Sequence, residues 1–314
     1  MNQSVTTEEF QKLRQELSNV KTLTGLRNTF IEFRTRYPQK YQIGFQNEDV
    51  LGNYLLNCKD AFHCFDCRDL RDGRYCFQTF MKVQNAMDID QCGEGELLYE
   101  CSNLGYNAYN IRFSINCLNQ IREMSYCDCC FNGCKNLFAC IGLKRQSYCI
   151  LNKQYSKQQY QLLEAKIIAH MKETKEWGEF FPAYLSPFGY NLTVANNFYP
   201  LNQVEVTRLG FNWHDETETR EKKTVPDIQN IFRCVECSNP YRIIKQEQEL
   251  YNSIQIALPQ SCFGCRHKRR LLGRNPRKLW QQPCQSCGIK LEAAFDPVRG
   301  AIVYCEDCYL RSLE

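Results

Sequence analysis

Histidine is scarce, with 4 residues in a chain of 314. So few imidazoles argue against a His-rich catalytic zinc or iron site. No apolar run approaches the roughly 20 residues that a bilayer span requires, which argues against a membrane protein. The opening Met1-Asn2-Gln3-Ser4 has no charged segment followed by an apolar one, so no secretory leader is expected. An excess of one charge is also missing. With 39 basic and 35 acidic residues the net charge is +4, which alone implies no partner. There is no Gly-rich phosphate loop, no nucleophile elbow and no HExxH motif, and the chain is expected not to be an enzyme.

Cysteine is abundant, at 21 residues. Without secretion such cysteines read as metal ligands or buried thiols, in a cytoplasmic protein, before they read as disulfides. The odd count also fits poorly with a fully paired disulfide framework. A hydrophobic share of 43% supports a packed core.

Residues 1–38 read as a helical pair. Thr6 and Glu9 form a capping box, with Phe10, Leu13 and Leu17 at helical spacing behind it. A second helix carries Leu26, Phe30 and Phe33 on one face and ends before Pro38. The pair is expected to pack on the next domain. Residues 39–155 then repeat a short pattern of small, apolar and polar residues. Cys64-Phe65-Asp66, Cys76-Phe77-Gln78, Ala86-Met87-Asp88 and Leu98-Tyr99-Glu100 are its clearest instances. A step of about ten residues suits one short strand and a turn, and two steps suggest a coil of about 20 residues. The expected fold is mainly β: a right-handed β-solenoid with flanking helices and two C-terminal four-cysteine zinc ribbons. Most solenoid cysteines are then small core residues, with Ala86 and Ala108 at positions equivalent to Cys64 and Cys76. The group Cys127, Cys129, Cys130 and Cys134 is either a third metal site or an in-and-out alternation along a coil.

Residues 156–229 contain a helix capped by Ser156, striped with Tyr160, Leu163, Ile167 and Met171, then an aromatic segment and a polar linker. The aromatic segment, WGEFFPAYLSPFGY, either caps the last coil or forms a groove, and the cap is the favoured expectation.

Residues 230–314 form the module with the clearest chemistry. Cys234/Cys237, Cys262/Cys265, Cys284/Cys287 and Cys305/Cys308 are four Cys-x2-Cys knuckles. Two thiols two residues apart reach one ion, and four thiolates complete the tetrahedron of structural zinc. About two Zn2+ per chain are expected, the knuckles pairing in sequence order or crossed. Between the second and third knuckles lie Arg266, Lys268, Arg269, Arg270, Arg274, Arg277 and Lys278, without an acidic residue and beside Trp280. Clustered arginine and an aromatic suit phosphate contact and base stacking, so RNA or single strands are the expected partner. A protein–protein adaptor on a larger assembly is the alternative, and a thiol enzyme is the weakest reading. No small-molecule substrate is indicated.

Several strings carry a resemblance: YRIIKQEQELY (241–251), CFGCRHKRR (262–270), RNPRKLW (274–280), VYCEDCY (303–309), LFACIGLKRQSYCILNKQYSKQQY (137–160) and EWGEFFPAYLSPFGYN (176–191). On these the chain resembles the cysteine-rich zinc-ribbon proteins of candidate-phylum bacteria. The resemblance implies a cysteine-studded β-solenoid joined to tandem zinc-binding ribbons, with the ligands on the eight ribbon cysteines, Cys234 to Cys308. It implies no activity. In similar chains the ribbons often come first, whereas here they are C-terminal.

Overall fold

The computed structural model describes residues 5–16, 20–215 and 231–313. Two helices open the chain, α1 (Thr7–Glu16) and α2 (Val20–Thr35). The α1 capping box forms, with Thr6 N–H donating to Glu9 and Glu9 N–H donating to Thr6 Oγ1. The expected packing does not. Phe10, Leu13, Phe30 and Phe33 are exposed, Leu26 is half-buried, and Leu17 lies outside the described residues.

Strand β1 (Gln39–Lys40) follows. Next come β2 (Gly44–Phe45), β3 (Glu48–Leu56), β4 (Lys59–Arg68), β5 (Leu70–Thr79), β6 (Val83–Cys92) and β7 (Gly95–Leu104). The series continues with β8 (Ala108–Ile115), β9 (Arg122–Ser125), β10 (Lys135–Phe138), β11 (Ser147–Ile150) and β12 (Lys153–Gln154). β2 to β11 pair in strict sequence order, in parallel, and β12 closes antiparallel on β11. The fold is a β-solenoid.

Its coil is shorter than expected. Leu70 pairs with Val83, Val83 with Gly95 and Gly95 with Ala108. Each step of 12 or 13 residues is therefore a whole coil rather than half of one. Four inward columns run up the solenoid. One is Leu70, Val83, Gly95, Ala108. A second is Gly73, Ala86, Leu98, Ile111, Met124, Leu137, Cys149. The third is Cys76, Ile89, Cys101, Ser114, and the fourth is Thr79, Cys92, Leu104. Successive inward residues are thus three apart, with four to a coil. Ala86 sits in the Gly73 column, one wall away from Cys76, which corrects the equivalence expected from sequence. Phe65 and Phe77 stack on each other on the outer wall, not in the core.

A chain that turns every three residues needs a corner at each turn. The residue just before an inward position holds the left-handed conformation, as at Asp60, Asp66, Asp72, Asn85, Asn103, Asn110, Asn116 and Asn136. Asn and Asp tolerate this region better than other non-glycine residues. Their side chains also bond from coil to coil: Asn57 donates to Asp69 at 2.6 Å, Asn103 to Asn116 at 2.9 Å and Asn119 to Asn132 at 3.2 Å. One corner column is aromatic instead. There His63 stacks on Tyr75, and Phe113 on Tyr126 with ring centroids 4.7 Å apart. Stacking offsets the backbone strain that these bulky residues carry in the left-handed region.

Four side chains must fill a narrow cross-section, so a small residue in a coil accompanies a large one. Gly73 shares a coil with Leu70, and a Cβ on Gly73 would lie 2.6 Å from Leu70 Cδ2. Gly95 likewise faces Leu98, at 2.9 Å. Cysteine suits this space for a second reason. Cys101 Sγ lies 3.2 Å from Tyr99 O and 3.5 Å from Ile111 O, so its one S–H can donate to a carbonyl on its own coil or on the next. Ser114, next in that column, makes the same local bond, from Oγ to Arg112 O at 2.9 Å. Ser114 thus replaces a thiol as a small donor, and Ile89 occupies the same column with no donor at all, so the column does not require sulfur. Burial pushes the Cys101 and Cys92 thiols up to about 12, so both stay protonated and inert.

The last coil is covered by α3 (Lys157–Glu173), capped by Ser156 in a capping box with Gln159. Tyr160, Leu163, Ile167 and Met171 from its stripe pack with Trp177 over Phe138 and Ile150. The helix is the cap, and the aromatic segment after it runs along the side wall. Two short helices, α4 (Ala195–Phe198) and α5 (Gln203–Arg208), complete this region.

The C-terminal module begins with the hairpin β13 (Ile231–Arg233) and β14 (Pro240–Arg242), then α6 (Lys245–Ser253) and α7 (Phe263–Leu272). It continues with the hairpin β15 (Trp280–Pro283) and β16 (Lys290–Ala293), then β17 (Val303–Tyr304) and α8 (Glu306–Arg311). β1, expected within the solenoid, instead pairs in parallel with β17, Gln39 opposite Val303 and Lys40 opposite Tyr304. Tyr41 packs with Ala293, Phe295 and Val303. The chain just before the solenoid is thereby part of the second ribbon. Among the described residues no helix is long and apolar enough to cross a membrane.

Two substitutions separate packing from sulfur chemistry. Gly73→Ala should cost about 1–3 kcal/mol by overpacking against Leu70. Cys76→Ala should cost about 1 kcal/mol, the value of one small buried group. Urea melts followed by circular dichroism measure both, and a larger loss from Cys76→Ala than from Gly73→Ala contradicts the volume argument.

Candidate metal centres and the basic segment

The eight ribbon cysteines gather into two tetrads, Cys234, Cys237, Cys262, Cys265 and Cys284, Cys287, Cys305, Cys308. The sulfurs of each tetrad all lie within 4.8 Å of one another. The pairing follows sequence order, and the crossed arrangement does not occur. Local structure explains the convergence. The first knuckle of each ribbon is the turn of a hairpin. Ser238 N–H donates to Cys234 O at 2.9 Å and Gly288 N–H to Cys284 O at 2.8 Å. Ser238 and Gly288 both take positive φ, of 59° and 77°. The second knuckle opens a helix, with Cys262 at the N-cap of α7 and Cys305 at that of α8. Hairpin turn and helix start face each other across the site.

The spacing fits a tetrahedral ion. A metal–sulfur bond of about 2.3 Å places tetrahedral sulfurs about 3.8 Å apart. Cys237 and Cys262 Sγ are 3.7 Å apart, and Cys287 and Cys305 Sγ are 3.8 Å apart. Backbone amides also point at the sulfurs: Cys265 N–H at Cys262 Sγ, 3.5 Å, and Cys305 N–H at Cys284 Sγ, 3.3 Å. Burial opposes ionisation of Cys234, but the amides of Cys262, Cys237 and Glu236 outweigh it and bring the thiol down to about 6. Burial likewise opposes ionisation of Cys284, and the amides of Cys287, Cys305 and Ser286 bring it to about 6. Such groups are prepared to bind as thiolates. The two tetrads can each hold a metal ion.

The Cys127 group does not form a third centre among the described residues. Cys127, Cys130 and Cys134 point inward on successive walls, and Cys129 occupies a half-exposed corner with φ of 52°. Cys127 and Cys130 donate to Ser125 O and Asp128 O, as the other core thiols donate two residues back. Among the described residues no histidine joins either tetrad. His63 stacks on Tyr75 and His267 on Phe263.

The basic segment is divided: Arg277 is buried and Arg266 and Arg274 are half-buried, while Lys268, Arg269, Arg270 and Lys278 are exposed. Arg266 meets Glu247 at 3.3 Å and Tyr251 Oη at 2.8 Å, and Arg269 meets Glu236 at 2.8 Å. Arg274 and Arg277 both bind Asp66 on the solenoid wall, Arg277 at 3.2 Å. Arg274 also lies over Tyr54, and Asn275 N–H donates to Tyr54 Oη at 3.3 Å. The Arg277 side chain is 4% exposed, 3.7 Å above the Phe198 ring and 5.1 Å from that of Phe77. Residues 274–277 therefore dock the ribbon module on the outer wall of β4 and β5. Lys268, Arg270 and Lys278 have no ion pair among the described residues. Arg270 lies over Phe263, and Lys278 lies 5.4 Å from the centre of the Trp280 ring. No sequence signal marks the Asp66 contact, since its partners lie over 200 residues away.

Purified chain should contain about two zinc ions. Chelation should then expose eight fast-reacting thiols to alkylation, while the core solenoid thiols stay slow. Elemental analysis and mass mapping check both, and iron with visible absorption, or a third ion, contradicts the assignment. Asp66→Ala leaves the buried Arg277 with only the longer Asp90 contact, at 3.9 Å, and should cost up to about 3–5 kcal/mol. Calorimetry of the metal-loaded chain measures this, and an unchanged melting profile contradicts the docking role. Compared with known protein families, with curated proteins and with solved structures, the chain matches none.

Proposed function

We propose that this chain is a non-enzymatic, zinc-held scaffold that works by docking a protein partner. Internal ion pairing carries this reading: Arg266, Arg269, Arg274 and Arg277 are engaged by carboxylates of the same molecule. A guanidinium group engaged by a carboxylate must give up that pair before it takes a phosphate, which lowers its contribution to nucleic-acid binding. Zinc is the metal favoured for two four-thiolate sites closed by hairpin turns, and four thiolates leave no coordination position for a substrate. The ions act on the fold: each ribbon is too small to hold itself by burial, and coordination supplies much of its folding energy. The solenoid then offers a rigid body with long side walls.

Nucleic-acid contact is retained as a second reading by Lys278 over Trp280, together with Lys268 and Arg270. With three free cations, single-strand affinity should fall with salt at a log–log slope no steeper than about −2. Fluorescence anisotropy of the zinc-loaded chain with a single-stranded RNA oligomer, from low to physiological salt, decides. The docking reading expects weak binding within that limit. Tight binding with a steeper slope, abolished by Lys268→Ala, Arg270→Ala and Lys278→Ala together, overturns it in favour of nucleic acid.

A further inference from the structure

The segment after α3 is fixed at two points. At its start, Gly178 N–H donates to Tyr126 Oη at 3.2 Å, and Trp177 stacks on Phe138. At its far end, Asn212 Nδ2 donates to Tyr184 O at 3.1 Å and Ser186 O at 3.0 Å, and Tyr190 N–H donates to Asn212 O at 2.7 Å. Residues 179–188 arch over the wall and touch it where Phe181 meets Tyr126 edge-on, ring centroids 6.2 Å apart. A groove of about 680 Å³ lies beneath, floored by Tyr126, Ala139 and Ile141 and walled by Phe181, Leu185 and Phe211. A second cavity of about 490 Å³ shares Tyr126, Ala139 and Phe180–Pro182 with it and runs on toward Leu151 and Met171. Ile141 is 61% and Leu185 57% exposed.

Two features specify what would fill this channel. Its rim is acidic: Asp128 lines the first cavity, and Glu176 and Glu179 line the second against one lysine, Lys175. None of the three carboxylates has an ion pair among the described residues. Burial, then the charges of Asp88 and Glu179, hold the nearby Glu100 carboxyl above its usual range, consistent with a local excess of negative charge. The second feature is the backbone. Phe180 and Phe181 lie outside any helix or strand, and their amides have no hydrogen-bond partner among the described residues. A pinned channel with an apolar floor, free amides along one wall and an acidic rim matches an extended peptide.

We infer that the channel beneath residues 179–188 binds an extended segment of a partner protein that carries apolar side chains flanked by lysine or arginine. This rests on the docking reading above and names the chemistry of its partner. The apolar side chains enter the two cavities, the peptide backbone pairs with Phe180 and Phe181, and the basic residues meet Asp128, Glu176 and Glu179.

The test uses three synthetic peptides of one fixed length, with leucine at alternate positions and the intervening positions all Lys, all Gln or all Glu. Binding to the full zinc-loaded chain is measured by fluorescence anisotropy. The Lys peptide should bind about tenfold tighter than the Glu peptide. Ile141→Asp with Leu185→Asp alters exposed positions, so zinc content should be unchanged while Lys-peptide affinity falls about tenfold. Glu176→Lys with Glu179→Lys should erase the charge preference. A flat charge series, no binding, or groove variants that bind like wild type overturns the inference. So does light scattering that shows a dimer in wild type and a monomer in Ile141→Asp/Leu185→Asp, which assigns the channel to a second copy. The groove variants leave Lys268, Arg270 and Lys278 intact, so the RNA titration reports on the docking reading separately.

Discussion

The narrow solenoid cross-section is the constraint on which the rest depends. Four inward side chains per coil share one small space, and each coil must fill it without exceeding it. Glycine beside leucine, cysteine beside alanine, and serine in a cysteine column are separate solutions to that condition. The same constraint places a corner every third residue. It thereby accounts for the asparagine and aspartate that recur along residues 57–136 and for the hydrogen bonds between their side chains.

One sequence spacing serves two physical ends in this chain. Cys64 and Cys67 are separated by two residues, as Cys234 and Cys237 are. In the solenoid that spacing moves the thiol from one wall to the next, with Asp66 in the left-handed conformation between them. In the ribbon it folds both thiols toward one point at the turn of a hairpin. The ribbons were legible because four knuckles lie close together and nothing else in so short a segment can stabilise it. The solenoid was legible as a class of fold, but its coil length was not. Triads of similar residues do not mark the coil, whereas the Asn or Asp that precedes many of the inward residues does.

The remaining features were hidden for a different reason. The Arg277–Asp66 pair, the β1–β17 pairing and the role of α3 as the cap all join segments whose meeting depends on the finished fold. No local pattern marks Asp66 as the residue that receives two arginines, because its neighbours differ little from those of other corner aspartates. The apolar character of Phe65 and Phe77 alone suggests a place in the core. They lie on the outer wall, where Phe77 is met by Arg277. Hydrophobicity identified them as buried-type residues but could not say which side would bury them.

The parallel register also makes the solenoid a ruler. The ribbon module is moored near Asp66, toward the first coils, and the channel opens beside Tyr126 and Ile141, toward the last. Every coil between them is a self-contained layer of 12 or 13 residues, and adjacent parallel strands lie about 4.8 Å apart. Gain or loss of a whole coil would shift the interval between the two ends by one such increment, without disturbing the register on either side. The distance at which this molecule holds its two ends apart is therefore quantised.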